Sequence, residues 1–214
     1  MRIDRLAALE LGEFWSLSEN VTVRAGRTVV LSAPWGELAL EQPGTLLREA
    51  LQRMQLGAVS LGNVVPGFPG YDVPESEWNE ASRELIGALD GFQHLIARHL
   101  AIGASPVLSV VPQSPRARFH PPAVPPGEEL WLPDRVIRHE PDADPVIGYE
   151  GSLHRVELHG PDAARLLAHL RARPGAPAPS HAEPLPEPVV RAARAYTAAA
   201  GMFTAPDPRP ADGR

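Results

Sequence analysis

The stretch Leu108–Gly127, LSVVPQSPRARFHPPAVPPG, decides how this chain divides. Proline has no backbone N–H and a fixed φ, so this density of prolines excludes a helix and argues against a central strand. The stretch is also too apolar and aromatic for a loose tail. It reads as an ordered, extended connector laid over folded surface, with Val110, Val111 and Phe119 as its buried anchors. Two folded halves follow on either side. The expected organisation is a first unit at 1–103, a connector at 104–129, a second unit at 130–204 and a tail at 205–214. The tail, APDPRPADGR, is disordered by composition.

The bulk properties narrow the classes. The chain has 214 residues, 43% of them hydrophobic but only 6% aromatic, so its cores are built from Leu, Val and Ala. Its 25 prolines are more than double the usual share of roughly 5%. A net charge of −6 argues against general nucleic-acid binding, which needs a cationic surface to release counterions. The absence of cysteine excludes disulfides, iron–sulfur clusters and thiolate nucleophiles. The start, MRIDRLAALELGEF, lacks a signal-peptide core, and no apolar run spans a membrane. The expected setting is cytoplasmic and soluble, with no membrane partner.

In the first half, Trp15–Arg24 and Arg27–Leu31 read as strands around an Ala25-Gly26 turn, and Trp35–Glu41 reads as a third strand. Thr45–Gln55 has Leu47, Leu51 and Met54 at helical spacing and stops at Gly57. A long helix is predicted over Pro74–Ile102. Asp72 and Glu75 have capping-box spacing there, and Trp78, Leu85, Leu89, Phe92, Ile96 and His99 make one stripe. In the second half, Leu130–Ile137, Val146–Tyr149 and Leu153–His159 are candidate strands. Asp162–Arg173 and Pro188–Ala200 are helices, with Pro174–Pro186 a loop between them. Gly201 is the last cap, and Met202-Phe203 leaves as a short strand. WGELALEQPGTLLREAL and LHRVELHGPDAARLLAHL both run strand, turn, helix. The predicted class is α+β: two winged-helix-like units joined by the proline-rich connector.

Motifs for catalysis are missing. His94 and His99, and likewise His154 and His159, are five residues apart, which is not the spacing of two metal ligands on one helix face. In a strand, His154 and His159 face opposite sides. No nucleophile elbow and no glycine-rich phosphate turn occur. Arg116 and Arg118 can touch a phosphate or carboxylate, although solvated or salt-bridged arginines are the commoner case. The expectation is no catalytic residue, no metal ligand and no cofactor on this chain.

Three segments carry a resemblance: RMQLGAVSLGNV (Arg53–Val64), the connector itself, and SLHRVELHGPDAARLLAHL (Ser152–Leu170). Together they resemble the N-terminal region of actinobacterial SagB-type peptide dehydrogenases, flavoenzymes that oxidise azolines to azoles in ribosomally made, modified peptides. The resemblance runs from about Phe14 to Phe203 and covers none of the flavin-binding nitroreductase domain. It implies a non-catalytic module that binds a precursor leader peptide, a separate FMN-dependent nitroreductase-fold partner, or both. It also implies pairing with that partner or with a second copy.

For a winged-helix module, an extended peptide adds to the wing and sets alternate side chains in an apolar groove. Val21, Val23, Val29, Leu31, Leu47 and Leu51 are the expected peptide-binding residues. Trp78, Leu85, Leu89, Phe92 and Ile96 are the expected partner-docking stripe. A winged-helix DNA-binding regulator and an enzyme with an unrecognised site stand as the alternatives.

Overall fold

The computed structural model describes residues 11–70, 72–121, 132–133, 137–138, 144–172 and 185–203. It is mixed α and β, with four α-helices and two antiparallel sheets among these residues. The chain begins with β1 (Leu11–Leu17), then a meander of β2 (Thr22–Arg24), β3 (Thr28–Ala33) and β4 (Gly36–Glu41). The β3–β4 turn needs a residue at φ +132, which only Gly36 takes without strain. Next come α1 (Thr45–Leu56) and α2 (Glu80–Asp90), followed by the hairpin of β5 (Ile96–Ile102) and β6 (Ser105–Pro112). The remainder is β7 (Ile137–Arg138), β8 (Val146–Ile147), β9 (His154–Leu158), α3 (Ala163–Arg171) and α4 (Glu187–Ala199).

One six-stranded sheet, ordered β1-β5-β6-β9-β8-β7, takes strands from both halves of the chain. Strand pairing places Trp15, Arg98, Val110 and Val156 on one face, and Phe14, His99, Ser109 and Glu157 on the other. The first face carries both cores. One core packs Leu108, Val110, Val156 and Leu158 against Leu166 of α3 and Val189, Ala193 and Tyr196 of α4. The other packs Trp15, Leu17 and Ile96 against α1, α2 and the meander. α4 has so many small residues (Ala192, Ala193, Ala195) that it sits deep, with Tyr196 and Thr197 fully buried. It ends in a Schellman motif: Met202 N–H donates to the Thr197 carbonyl and Gly201 N–H to that of Ala198, with Gly201 at φ +76.

Several expectations need correction. Residues 74–102 are not one helix. A single 3₁₀ turn covers Glu75–Glu77, and α2 starts only after Asn79, whose side chain accepts from Ser82 N–H at 2.8 Å. α2 ends at Gly91, and Ile96–Ile102 is a strand. The expected Asp72/Glu75 cap therefore lies outside α2.

Most of the supposed connector's first part is β6, the strand between β5 and β9. Its two prolines sit where a lost N–H does least harm: Pro106 beside the bulge at Leu100/Ala101, and Pro112 at the strand end. Val110 and Phe119 are buried, as the anchor reading requires, but Val111 points to the opposite face and is half-buried. Residues 113–121 are an ordered non-regular segment, and 122–129 lie outside the described residues. So do most of the expected strand at 130–137, the loop at 174–184, and the tail. Met202-Phe203 forms no strand.

Candidate functional site

β1 lies at one end of the six-stranded sheet. Its inner side pairs with β5. On its outer side, Trp15 N–H donates to Val59 O at 2.8 Å and Val59 N–H to Trp15 O at 2.9 Å. That is one antiparallel bridge, after which Leu61–Asn63 turns away as a 3₁₀ helix. Backbone groups alternate sides along a strand, so Glu13 and Leu11 present their N–H and C=O outward like Trp15. Among the described residues, no backbone segment pairs with them there. Beside this edge runs a groove of about 490 Å³, lined by Leu11, Gly12, Ser60, Asn63, Phe68 and Gly103.

The groove meets a second cavity of about 230 Å³ at Glu13, Trp15 and Phe68. Its walls are aromatic: Trp15, Phe68, Trp78 and Phe119, with Ile86 and Leu89 from α2. Phe68 stands edge-on to Trp15, with centroids 6.3 Å apart. Trp78 is fixed by its Nε1–H, which donates to Val73 O at 2.9 Å. Phe119 N–H donates to Gln93 Oε1 at 2.6 Å, which ties the 113–121 segment to the 3₁₀ turn between α2 and β5.

Under the cavity lies a buried ion pair. Arg98 donates from Nη2 and, at 3.1 Å, from Nε to Glu13 Oε1, and Tyr196 O–H donates to the same oxygen. Both charged side chains are only 9% exposed. The Arg98 guanidinium lies 3.4 Å from the Trp15 ring centroid and 5.5 Å from that of Phe119. Such stacking suits a weakly hydrated, planar cation in an apolar seat. Trp15 Nε1 is buried and donates to no acceptor among the described residues.

A second polar constellation runs over the opposite face of the sheet. Ser16 Oγ is 2.9 Å from His99 Nε2, and His99 Nδ1 is 2.7 Å from Ser109 Oγ. Ser109 Oγ is 2.7 Å from His159 Nε2, whose Nδ1 lies 3.8 Å from Asp144 Oδ2. Burial, together with the nearby His159 and Arg98, lowers the His99 pKa to about 4. Burial likewise lowers His154, on the core face, against an opposing hydrogen bond to the Ala200 backbone. The Asp144, His159, Ser109 order is that of a hydrolytic triad. However, Ser109 is 3% exposed in a strand paired on both sides. The backbone N–H groups beside it are committed to the ladder, which leaves none to stabilise an oxyanion. Among the described residues, no group of three or more His, Asp or Glu could hold a metal ion.

The expected site residues are distributed otherwise than predicted. Val21, Val29, Leu31, Leu47 and Leu51 are buried in one core, and Val23 is packed against it, so they form no open groove. Leu85, Leu89, Phe92 and Ile96 are buried in the same core, because the chain turns at Gln93–Leu95, continues as a strand over Ile96–Ile102 and does not extend a helix stripe. They therefore make no exposed docking face. Only Trp78 of that set is part-exposed; both it and Leu89 line the aromatic cavity. Arg116 lines a separate cleft of about 730 Å³ with Tyr149, Leu153 and Arg155, and Arg118 donates to Ala117 O. Phe119 was expected only as a buried anchor, and Glu13 and Arg98 escaped the sequence reading. A charge among apolar residues, as in LGEFW and IARHL, was their available signal. The pairing of His99 with His159 through Ser109 escaped it because strand pairing, not sequence spacing, brings them together. No protein-family model matches the chain, and no curated protein matches it.

Proposed function

We propose that this chain is a non-catalytic subunit of a peptide-tailoring complex. It binds an extended precursor peptide, of the leader type, at the outer edge of β1. The observation that carries this reading is the edge at Leu11 and Glu13, unpaired among the described residues and beside a groove, next to a point where the same edge already accepts an antiparallel bridge from Val59. An added strand gains main-chain hydrogen bonds from such an edge and specificity from alternate side chains. The resemblance to SagB-type dehydrogenases supplies the context: a separate FMN-dependent, nitroreductase-fold partner performs azoline oxidation while this chain presents the substrate. The winged-helix-like reading of the halves rests on the repeated strand–turn–helix units β4–α1 and β9–α3.

The test is a titration of the full chain with labelled precursor leader peptides, repeated with Leu11→Pro. Leu11 directs its N–H away from β5, so proline there removes an outward donor and spares the ladder. The expected result is saturable binding that the variant weakens at least tenfold, with an unchanged circular dichroism spectrum. No binding by the parent chain, or equal binding by both, overturns the reading.

A further inference from the structure

We infer that the cavity between Trp15, Phe68, Trp78 and Phe119 is a specificity pocket for one aromatic side chain of the bound peptide. This rests on the edge reading above and names what the edge selects. Directly paired strand residues share a face. A residue paired with Glu13 therefore has its side chain on the face that carries Glu13, Trp15 and the cavity. The groove and the cavity join at Glu13, Trp15 and Phe68, so backbone pairing and side-chain insertion are contiguous.

The size and chemistry of the cavity fix the class of guest. Its volume of about 230 Å³ falls below the roughly 300–1,000 Å³ of sites for whole small molecules, and it suits a single side chain. Its buried charges are matched internally, Arg98 with Glu13. At the mouth the Asp90 carboxylate is half-exposed and accepts from Gln93 Nε2. A charged guest inserted among the rings meets no unmatched buried charge among the described residues and loses its hydration. The walls are ring faces and edges, which favour another ring by offset or edge-to-face packing. A guanidinium already stacked on Trp15 adds a cation–π partner.

The test uses capped tripeptides, acetyl-Ala-X-Ala-N-methylamide, with X as Phe, Trp, Ala, Glu or Lys. Binding to the full chain is followed by NMR of the tryptophan indole N–H signals. The expected result is that Phe and Trp bind at least tenfold tighter than the other three and shift the Trp15 and Trp78 signals. Trp78→Ala should abolish that preference. So should Ile86→Phe, which fills the cavity from α2 and guards against misfolding of the first variant; melting curves verify both. Absence of binding, or binding indifferent to X, overturns the inference. Leu11→Pro separates the two levels. If the aromatic preference survives it undiminished, the pocket stands and the edge pairing fails. If leader binding depends on Leu11 but not on any aromatic residue, the edge stands and the pocket fails.

Discussion

His99 and His159 face one another across a single hydroxyl: Nδ1 of the first and Nε2 of the second each lie 2.7 Å from Ser109 Oγ. One direction of donation satisfies the whole row. Ser16 donates to His99 Nε2, His99 Nδ1–H to Ser109, and Ser109 to His159 Nε2, leaving the Nδ1–H of His159 toward the Asp144 carboxylate. At 3.8 Å that last contact is longer than a hydrogen bond.

Acid should therefore destabilise this protein through His99. Its folded pKa, about 4, lies below the ordinary 6.5 because burial, His159 and Arg98 all oppose the imidazolium. Between those values the unfolded chain binds a proton that the folded chain refuses. The stabilisation is full above pH 6.5 and is lost as pH falls toward 4, on the order of 3 kcal/mol by linkage. His94 and His154 are shifted in the same direction by burial and add to the loss. Urea denaturation at pH 7, 5.5 and 4 should show this decline, and His99→Gln should flatten it. An equal slope in the variant contradicts the assignment.

Glu13 and Arg98 should prove strongly coupled. Glu13→Ala strands a guanidinium at 9% exposure and removes the acceptor of Tyr196 O–H. Breaking a buried pair in this way costs about 3–5 kcal/mol, whereas replacing both partners by apolar residues is often near neutral. The double variant Glu13→Leu/Arg98→Met should recover most of the loss. A double-mutant cycle by chemical denaturation reads the coupling, and simple additivity argues against it.

The start of α2 offers a local check. Asn79 accepts from Ser82 N–H, and among the described residues no other side chain caps that end. Asn79→Ala should cost about 1 kcal/mol. Because α2 supplies Ile86 and Leu89 to the aromatic cavity, the same substitution should loosen the protection of cavity-lining amides in hydrogen exchange.

Much of the architecture was legible where one periodicity dominates. β3, β4, α1, α3 and α4 follow directly from alternation or from apolar residues at helical spacing, whereas Trp15–Arg24, expected as one strand, is divided between β1 and β2 in different sheets. The errors have two sources. In Pro74–Ile102, the apolar residues fit a period of 3.6 across two glycines, but IARHLAI also fits a period of 2. Long-range pairing with β1 and β6 settled the choice, and pairing is invisible in a local window. In Leu108–Gly127, proline was weighed over the whole stretch, although VLSVV within β6 contains none. The candidate site suffered from the first error. With Arg98 placed on a helix, its neighbour across the sheet, Trp15, and its counter-ion, Glu13, could not be connected to it.

Leu51 separates the site anticipated from sequence from the site the fold provides. It was expected in a peptide groove, but it is 1% exposed among Trp15, Leu85 and Phe92 in the core. Leu51→Ala should therefore act on stability, costing about 2–5 kcal/mol through lost burial and an incompletely filled cavity. Its effect on peptide affinity, counted per folded molecule below the unfolding transition, should be small, because β1 and the aromatic cavity lie on other elements. Leu11→Pro should show the converse: little change in the urea midpoint and a large loss of binding. Measuring both quantities for both variants decides between a groove on α1 and an edge at β1. A Leu51→Ala protein that is fully folded yet unable to bind peptide is the outcome that restores the groove.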